Sequence, residues 1–128
     1  MGYGVTETKI RTHEDLDVWK DSLDLAAETY RVTMNFPNEE KFGLVSQMRR
    51  AAVSIASNIA EGAARQSSKE FIQFLFIASG SASELMTQTA IAQKISFGNQ
   101  QELLSLRQST EKVARMLRSL IKSLKKLL

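Results

Sequence analysis

The sequence predicts an all-α fold, an antiparallel up-down-up-down four-helix bundle, on three observations. Apolar residues recur at alternating three- and four-residue spacings through most of the chain, which is the helical period. Pro37 is the only proline, and the strict apolar/polar alternation of half-buried strands is missing. Gaps of about three or four residues separate stretches of roughly 20 to 30, so consecutive helices must lie antiparallel and side by side.

With 128 residues and 43% hydrophobic content, the chain fits one domain with its own core, and no run of about 18 apolar residues offers a membrane span. Residues 1–12 have no periodicity and include Gly2 and Gly4, so a loosely attached arm is expected before a bundle over 13–128. The first 19 residues have no apolar segment of the secretory kind, and cysteine is absent; a cytoplasmic location is the expectation.

The first helix is expected over about 14–35, with Leu16, Trp19, Leu23, Ala26 and Tyr30 as its inner stripe and Phe36-Pro37-Asn38 as its stop. The second, about 39–64, opens on Glu39 and Glu40, acidic residues that suit a helix N-terminus. Its wheel has two faces. Leu44, Val45, Met48, Ala52, Ile55, Ile59 and Ala63 form a core side; Gln47, Arg50, Ser54, Ser57, Asn58, Glu61 and Arg65 form a small, polar side suited to packing against something. The third, about 68–96, begins with the capping-box spacing of Ser67 and Glu70 and aligns Phe71, Phe74, Leu75, Ala78, Ala82, Leu85, Thr89 and Ala92. The fourth, about 100–126, starts at Asn99 and repeats Leu103, Leu106, Thr110, Val113, Leu117, Leu120, Leu124 and Leu127 as a packing seam.

Helix three has more apolar surface than one core needs. Phe76, Ile77, Ile91 and Ile95 lie opposite its core side, beside Gly80, whose place inside a helix costs about 1 kcal/mol relative to alanine unless another helix approaches closely. Self-association through this strip is the expectation.

Charge is unevenly distributed. Glu14, Asp15, Asp17, Asp21, Asp24, Glu28, Glu39 and Glu40 make the first part acidic, whereas Arg107, Lys112, Arg115, Arg118, Lys122, Lys125 and Lys126 stand on helix four away from its seam, against Glu111 alone. That row, joined by Arg49 and Arg65 of helix two, has the charge and spacing to track a phosphate backbone. Pairing with the acidic helix of another subunit and a solvated face are the other readings of the same charges. No aromatic residue interleaves with the row on helix four, which argues against base stacking there.

Catalysis finds little support. His13 is the only histidine, which rules out the paired Glu-x-x-His motifs of di-iron bundles, and no glycine-rich phosphate loop occurs. Glu61 and Glu84 on neighbouring helices are better read as members of an interhelical polar network with Gln47, Arg50, Asn58 and Ser81 than as a metal pair. No catalytic residue, metal site or cofactor is expected. Trp19 reads as core.

The stretches HEDLDVWKDSLDLAAETY (13–30), FPNEEKFGL (36–44), QMRRAAVSIASNIAEGAAR (47–65) and SSKEFIQFLFIASGSASEL (67–85) resemble the four-helix-bundle proteins encoded in intervening sequences of bacterial 23S ribosomal RNA genes. The resemblance spans about 13–126. On it, Gln47, Arg50, Asn58, Glu61 and Gly62 match one family signature, and Gly80, Ser81 and Glu84 a second, with Gly62 and Gly80 as close-packing glycines. Members, and the similar accessory variability protein of diversity-generating retroelements, form pentameric barrels with basic surfaces. The resemblance therefore implies a ring-like homopentamer in contact with RNA or DNA.

Two functions follow as expectations. One is a non-enzymatic, oligomeric nucleic-acid-binding protein that contacts phosphates with little base specificity. The other is a protein-interaction scaffold, such as an accessory ring for a reverse transcriptase or another RNA-bearing partner.

Overall fold

The computed structural model describes His13 and residues 16–128, so the expected N-terminal arm lies outside the described residues. Four helices fill it: α1 (Asp17–Thr33), α2 (Leu44–Ala63), α3 (Ser68–Lys94) and α4 (Gln100–Lys125), with a short 3₁₀ helix at Asn38–Glu40. No strand occurs among the described residues. Each helix packs against its two neighbours in the cycle α1, α2, α3, α4, which puts α2 diagonally opposite α4. Every packed pair is antiparallel. Arg49 near the start of α2 reaches Tyr30 and Thr33 at the end of α1, Arg107 early in α4 reaches Gln93 late in α3, and Lys112 and Ser105 of α4 reach Asp21 and Glu28 of α1.

The helix ends are chemically defined. The Glu70 N–H donates to Ser67 Oγ (3.2 Å) and the Glu102 N–H to Asn99 Oδ1 (2.9 Å), each satisfying a donor that a helix N-terminus would leave unpaired. At the end of α3 the Phe97 N–H donates to Ala92 O and the Ser96 N–H to Gln93 O. This is a Schellman closure, with Ser96 (φ 60°) in the left-handed position usually given to glycine.

The second helix starts later than the glutamates imply. Glu39 and Glu40 lie in the 3₁₀ helix, and α2 begins at Leu44 after Gly43. Glu40 still serves the α2 N-terminus, because its Oε1 accepts from the Leu44 N–H at 3.1 Å. The α1–α2 connection is thus a structured ten-residue passage rather than a short loop.

The inner face of α1 also differs from the expected stripe. Val18, Ser22, Leu25, Thr29, Val32 and Thr33 are buried; of the expected stripe only Leu16, just before the helix, is buried, whereas Leu23 and Tyr30 are exposed and Trp19 and Ala26 are only partly covered. The buried hydroxyls are satisfied within the helix: Ser22 Oγ donates to Trp19 O (2.6 Å), Thr29 Oγ1 to Leu25 O (2.8 Å) and Thr33 Oγ1 to Thr29 O (2.7 Å). Their burial therefore leaves no orphan group. Trp19 sits at the margin of the core, edge-on to His13 at 4.7 Å between ring centroids.

The other three helices bury the expected residues, with four exceptions. Leu44 and Ala63 at the two ends of α2 and Phe74 of α3 are partly buried, and Leu127, beyond the end of α4, is exposed.

Gly62 and Gly80 differ. A Cβ on Gly62 would stand 2.7 Å from Phe74 Cβ and 2.9 Å from Phe71 Cδ1, so α2 and α3 touch there because no side chain intervenes. A Cβ on Gly80 would meet nothing within 4 Å, so no helix of this chain makes the close approach expected there. Gly80→Ala should accordingly stabilise the isolated bundle by about 1 kcal/mol. Gly62→Ala should destabilise it by about 1–2 kcal/mol, because overpacking against the rigid root of Phe74 exceeds the helix-propensity gain. Urea denaturation of both variants checks the opposite signs.

Candidate nucleic-acid interface

The α4 seam from Leu103 to Leu124 is buried, so the residues on its other side must face neighbouring helices' rims or water. The cations separate accordingly. Lys112 turns to α1 and pairs with Asp21 at 3.3 Å. Arg107 donates from Nη1 to Gln93 Oε1 of α3 at 2.8 Å. Arg115 and Arg118 flank Glu111 at 3.8 and 3.2 Å. Lys122 and Lys126 make no ion pair among the described residues. The ion pairs on this side are largely solvent-exposed, so each contributes only about 0–1 kcal/mol and yields readily to a polyanion.

Arg118, Lys122 and Lys125 converge with Phe76, Ser79 and Ser83 of α3 on a groove of about 430 Å³. Lys125 Nζ lies 5.3 Å from the centroid of Phe76. Ser79 Oγ is buried with no hydrogen-bond partner, leaving an unused donor beside three cations. An aromatic ring does therefore stand beside the basic row, contrary to the sequence reading. The signal was missed because Phe76 comes from the neighbouring helix, and a search along α4 does not reach it. Phe76 is as exposed as Ile77, and Ile77, Ile91 and Ile95 are likewise exposed on α3.

Arg49 and Arg65 are not brought to this groove. Arg49 clamps α2 to α1, donating from Nε to Thr33 Oγ1 (3.0 Å) and from Nη2 to Tyr30 O (3.3 Å), with its guanidinium carbon 4.5 Å from the Tyr30 ring centroid. Arg65 pairs with Glu61 at 2.6 Å and covers Phe74 at 4.7 Å.

The polar network between α2 and α3 is smaller than expected, and its hub is Ser54. Ser54 Oγ and Ser81 Oγ are hydrogen-bonded at 2.9 Å, and Asn58 Nδ2 donates to both Ser54 O (2.9 Å) and Ser54 Oγ (3.0 Å). Glu61 turns outward to Arg65 instead. Gln47, Arg50 and Glu84 line a cavity of about 480 Å³ with Gln88, without an Arg50–Glu84 salt bridge. Gln88 Oε1 is buried there and unpartnered. Among the described residues, no group of three or more His, Cys, Asp or Glu could hold a metal ion, and no helix is long and apolar enough to cross a membrane.

A family model described as 23S rRNA-intervening sequence protein matches residues 14–119. Among solved structures, the chain is similar to a protein with unknown function from the S23 ribosomal protein family of Bacteroides thetaiotaomicron. The identity is 26% with a TM-score of 0.74, covering 82% of this chain and 98% of that one. No curated protein matches.

Proposed function

The chain belongs to the 23S rRNA-intervening sequence protein family, and from that premise we propose that it is a non-enzymatic nucleic-acid-binding protein that grips phosphates through lysine and arginine with little base specificity. The α3–α4 groove carries this reading. Arg118, Lys122 and Lys125 surround it, its neighbours Ser79 and Ser83 bring hydroxyl donors, and no carboxylate lines it. Cations so arranged exchange condensed counterions for protein contacts, and that gain is indifferent to base sequence.

In this reading the protein works as a homo-oligomer, a homopentamer by the family resemblance. Ile77, Ile91 and Ile95 form a strip that a second copy would cover, and the open space over Gly80 admits a close approach. Repeating one basic groove around a ring multiplies weak phosphate contacts by avidity. The same isoleucines favour a second reading, a scaffold that holds a protein partner such as a reverse transcriptase.

Binding of RNA and DNA across about 50–200 mM salt, with molar mass measured in the same buffer, tests both. The first reading expects an oligomer whose affinity falls by orders of magnitude with salt. An oligomer indifferent to nucleic acid at low salt refutes it and leaves the scaffold. Ile77→Glu with Ile91→Glu should lower the molar mass to that of one chain while the helical circular dichroism persists, because burying two carboxylates in an interface without partners is prohibitive. An unchanged mass would move the interface elsewhere.

A further inference from the structure

On the far side of the bundle, a second groove of about 560 Å³ lies between the end of α1 and the start of α2. Tyr30, Lys41, Phe42, Arg49 and Arg50 line it, with no carboxylate among the lining residues. Phe42 is 89% exposed on the turn before α2. A phenyl ring so placed contributes almost nothing to the core, and it is not a lone surface apolar residue. Lys41 Nζ lies 5.6 Å from its centroid, and the Tyr30 ring across the groove lies under the Arg49 guanidinium. Arg50 makes no ion pair among the described residues.

The groove therefore holds two ring–cation pairs, Phe42 with Lys41 and Tyr30 with Arg49, with Arg50 among its lining residues. A single nucleic-acid strand offers the matching features, flat apolar bases and anionic phosphates. Base–aromatic stacking tolerates any sequence because every base has a π-face, and arginine adds stacking and charge. The groove volume falls within the range of about 300–1,000 Å³ typical of small-ligand sites, room for a nucleotide unit. We propose that this α1–α2 groove is a second nucleic-acid site, an aromatic platform on which unpaired bases of single-stranded RNA or DNA stack, with Phe42 as its principal ring. The proposal rests on the nucleic-acid reading of the chain but uses none of the α4 residues. Because α2 is diagonal to α4, the two sites lie on opposite sides of the bundle. A duplex hides its base faces and engages only the α4 groove. The competing occupant is a second copy docking its acidic α1 against these cations.

Fluorescence anisotropy with labelled single strands of about 12 nucleotides, RNA and DNA separately, and with a duplex of the same length, separates the alternatives. The proteins are the wild type, Phe42→Ala, Phe42→Trp and Met34→Ala, the last an exposed apolar residue outside the groove. Phe42→Ala should weaken single-strand binding roughly 5- to 150-fold, the range that loss of one base–aromatic stack produces, and leave duplex binding unchanged. Phe42→Trp should keep the single-strand affinity, and Met34→Ala should have no effect. A Phe42→Ala protein within twofold of wild type on single strands overturns the proposal, as does an equal loss on duplex or a wild type that ignores single strands. A fall in molar mass on Phe42→Ala would assign the groove to a second copy. Failure of the α4 reading looks different: it appears as absent duplex binding by the wild type.

Discussion

Replacing Arg118, Lys122 and Lys125 with glutamate together should lower duplex affinity by about 500-fold or more at roughly 0.1 M salt. The estimate follows from counterion release. Each phosphate contact contributes a slope of about −0.9 in the logarithm of affinity against the logarithm of salt, hence about 0.9 decade at 0.1 M relative to 1 M. Three lost contacts amount to nearly three decades, and repulsion by the new carboxylates adds to the loss. The salt slope itself should become shallower by about 2.7. All three side chains line the α3–α4 groove and none is in the core, so the fold should survive. The same charge change at Lys20, Arg31 and Lys69, exposed cations that make no ion pair among the described residues, should do far less. Equal losses for the two triple variants would mean that net charge drives binding, and the groove would lose its assigned role.

The largest stability effect is expected in α1, where Leu25→Ala should cost about 2–5 kcal/mol and Leu23→Ala less than about 1. Leu25 is 2% exposed and packs in the core, whereas Leu23 is 43% exposed. Removing the Leu25 side chain takes away buried contacts and leaves a cavity among rigid neighbours. Against a total stability of about 5–15 kcal/mol for a domain of this kind, that loss is a large share. Urea midpoints of the two variants decide the matter, and the reverse order would return α1 to the face expected from sequence.

That face was misread for an identifiable reason. Two three/four alternations interleave in α1: Leu16, Trp19, Leu23, Ala26 and Tyr30, and Val18, Ser22, Leu25, Thr29 and Val32. The first is the more apolar, yet the second is buried throughout, whereas of the first only Leu16 is buried. Ser22, Thr29 and Thr33 cost little inside because each donates to a carbonyl one turn back in the same helix. A hydropathy pattern counts a hydroxyl as polar whether or not the backbone satisfies it. In α3 and α4 no such ambiguity arises, because one apolar stripe stands alone on each helix and the caps Ser67 and Asn99 occupy the positions that their spacing implies.

The candidate sites divide along similar lines. Seven cations on α4 were legible because periodicity alone puts them opposite the leucine seam. Phe76 beside Lys125, Arg49 clamped over Tyr30, and Glu61 turned to Arg65 were not, since each depends on where a neighbouring helix or a side-chain rotamer lies. Ser54 was placed on the right side of α2, yet its position as hub of the Ser81–Asn58 contact required the register of α2 against α3.

By itself the sequence determined that this chain is all-helical, where its helices broadly run and how α3 and α4 are capped. Those properties depend on contacts within about four residues, which spacing encodes directly. Tertiary packing decided which stripe of α1 is buried, that Gly62 and not Gly80 marks a helix contact within the chain, and that rings from α1 and α3 join cations from α2 and α4 in two opposite grooves. Those outcomes depend on rotation and register between helices, which result from mutual packing of all four core faces and are written in no single one of them.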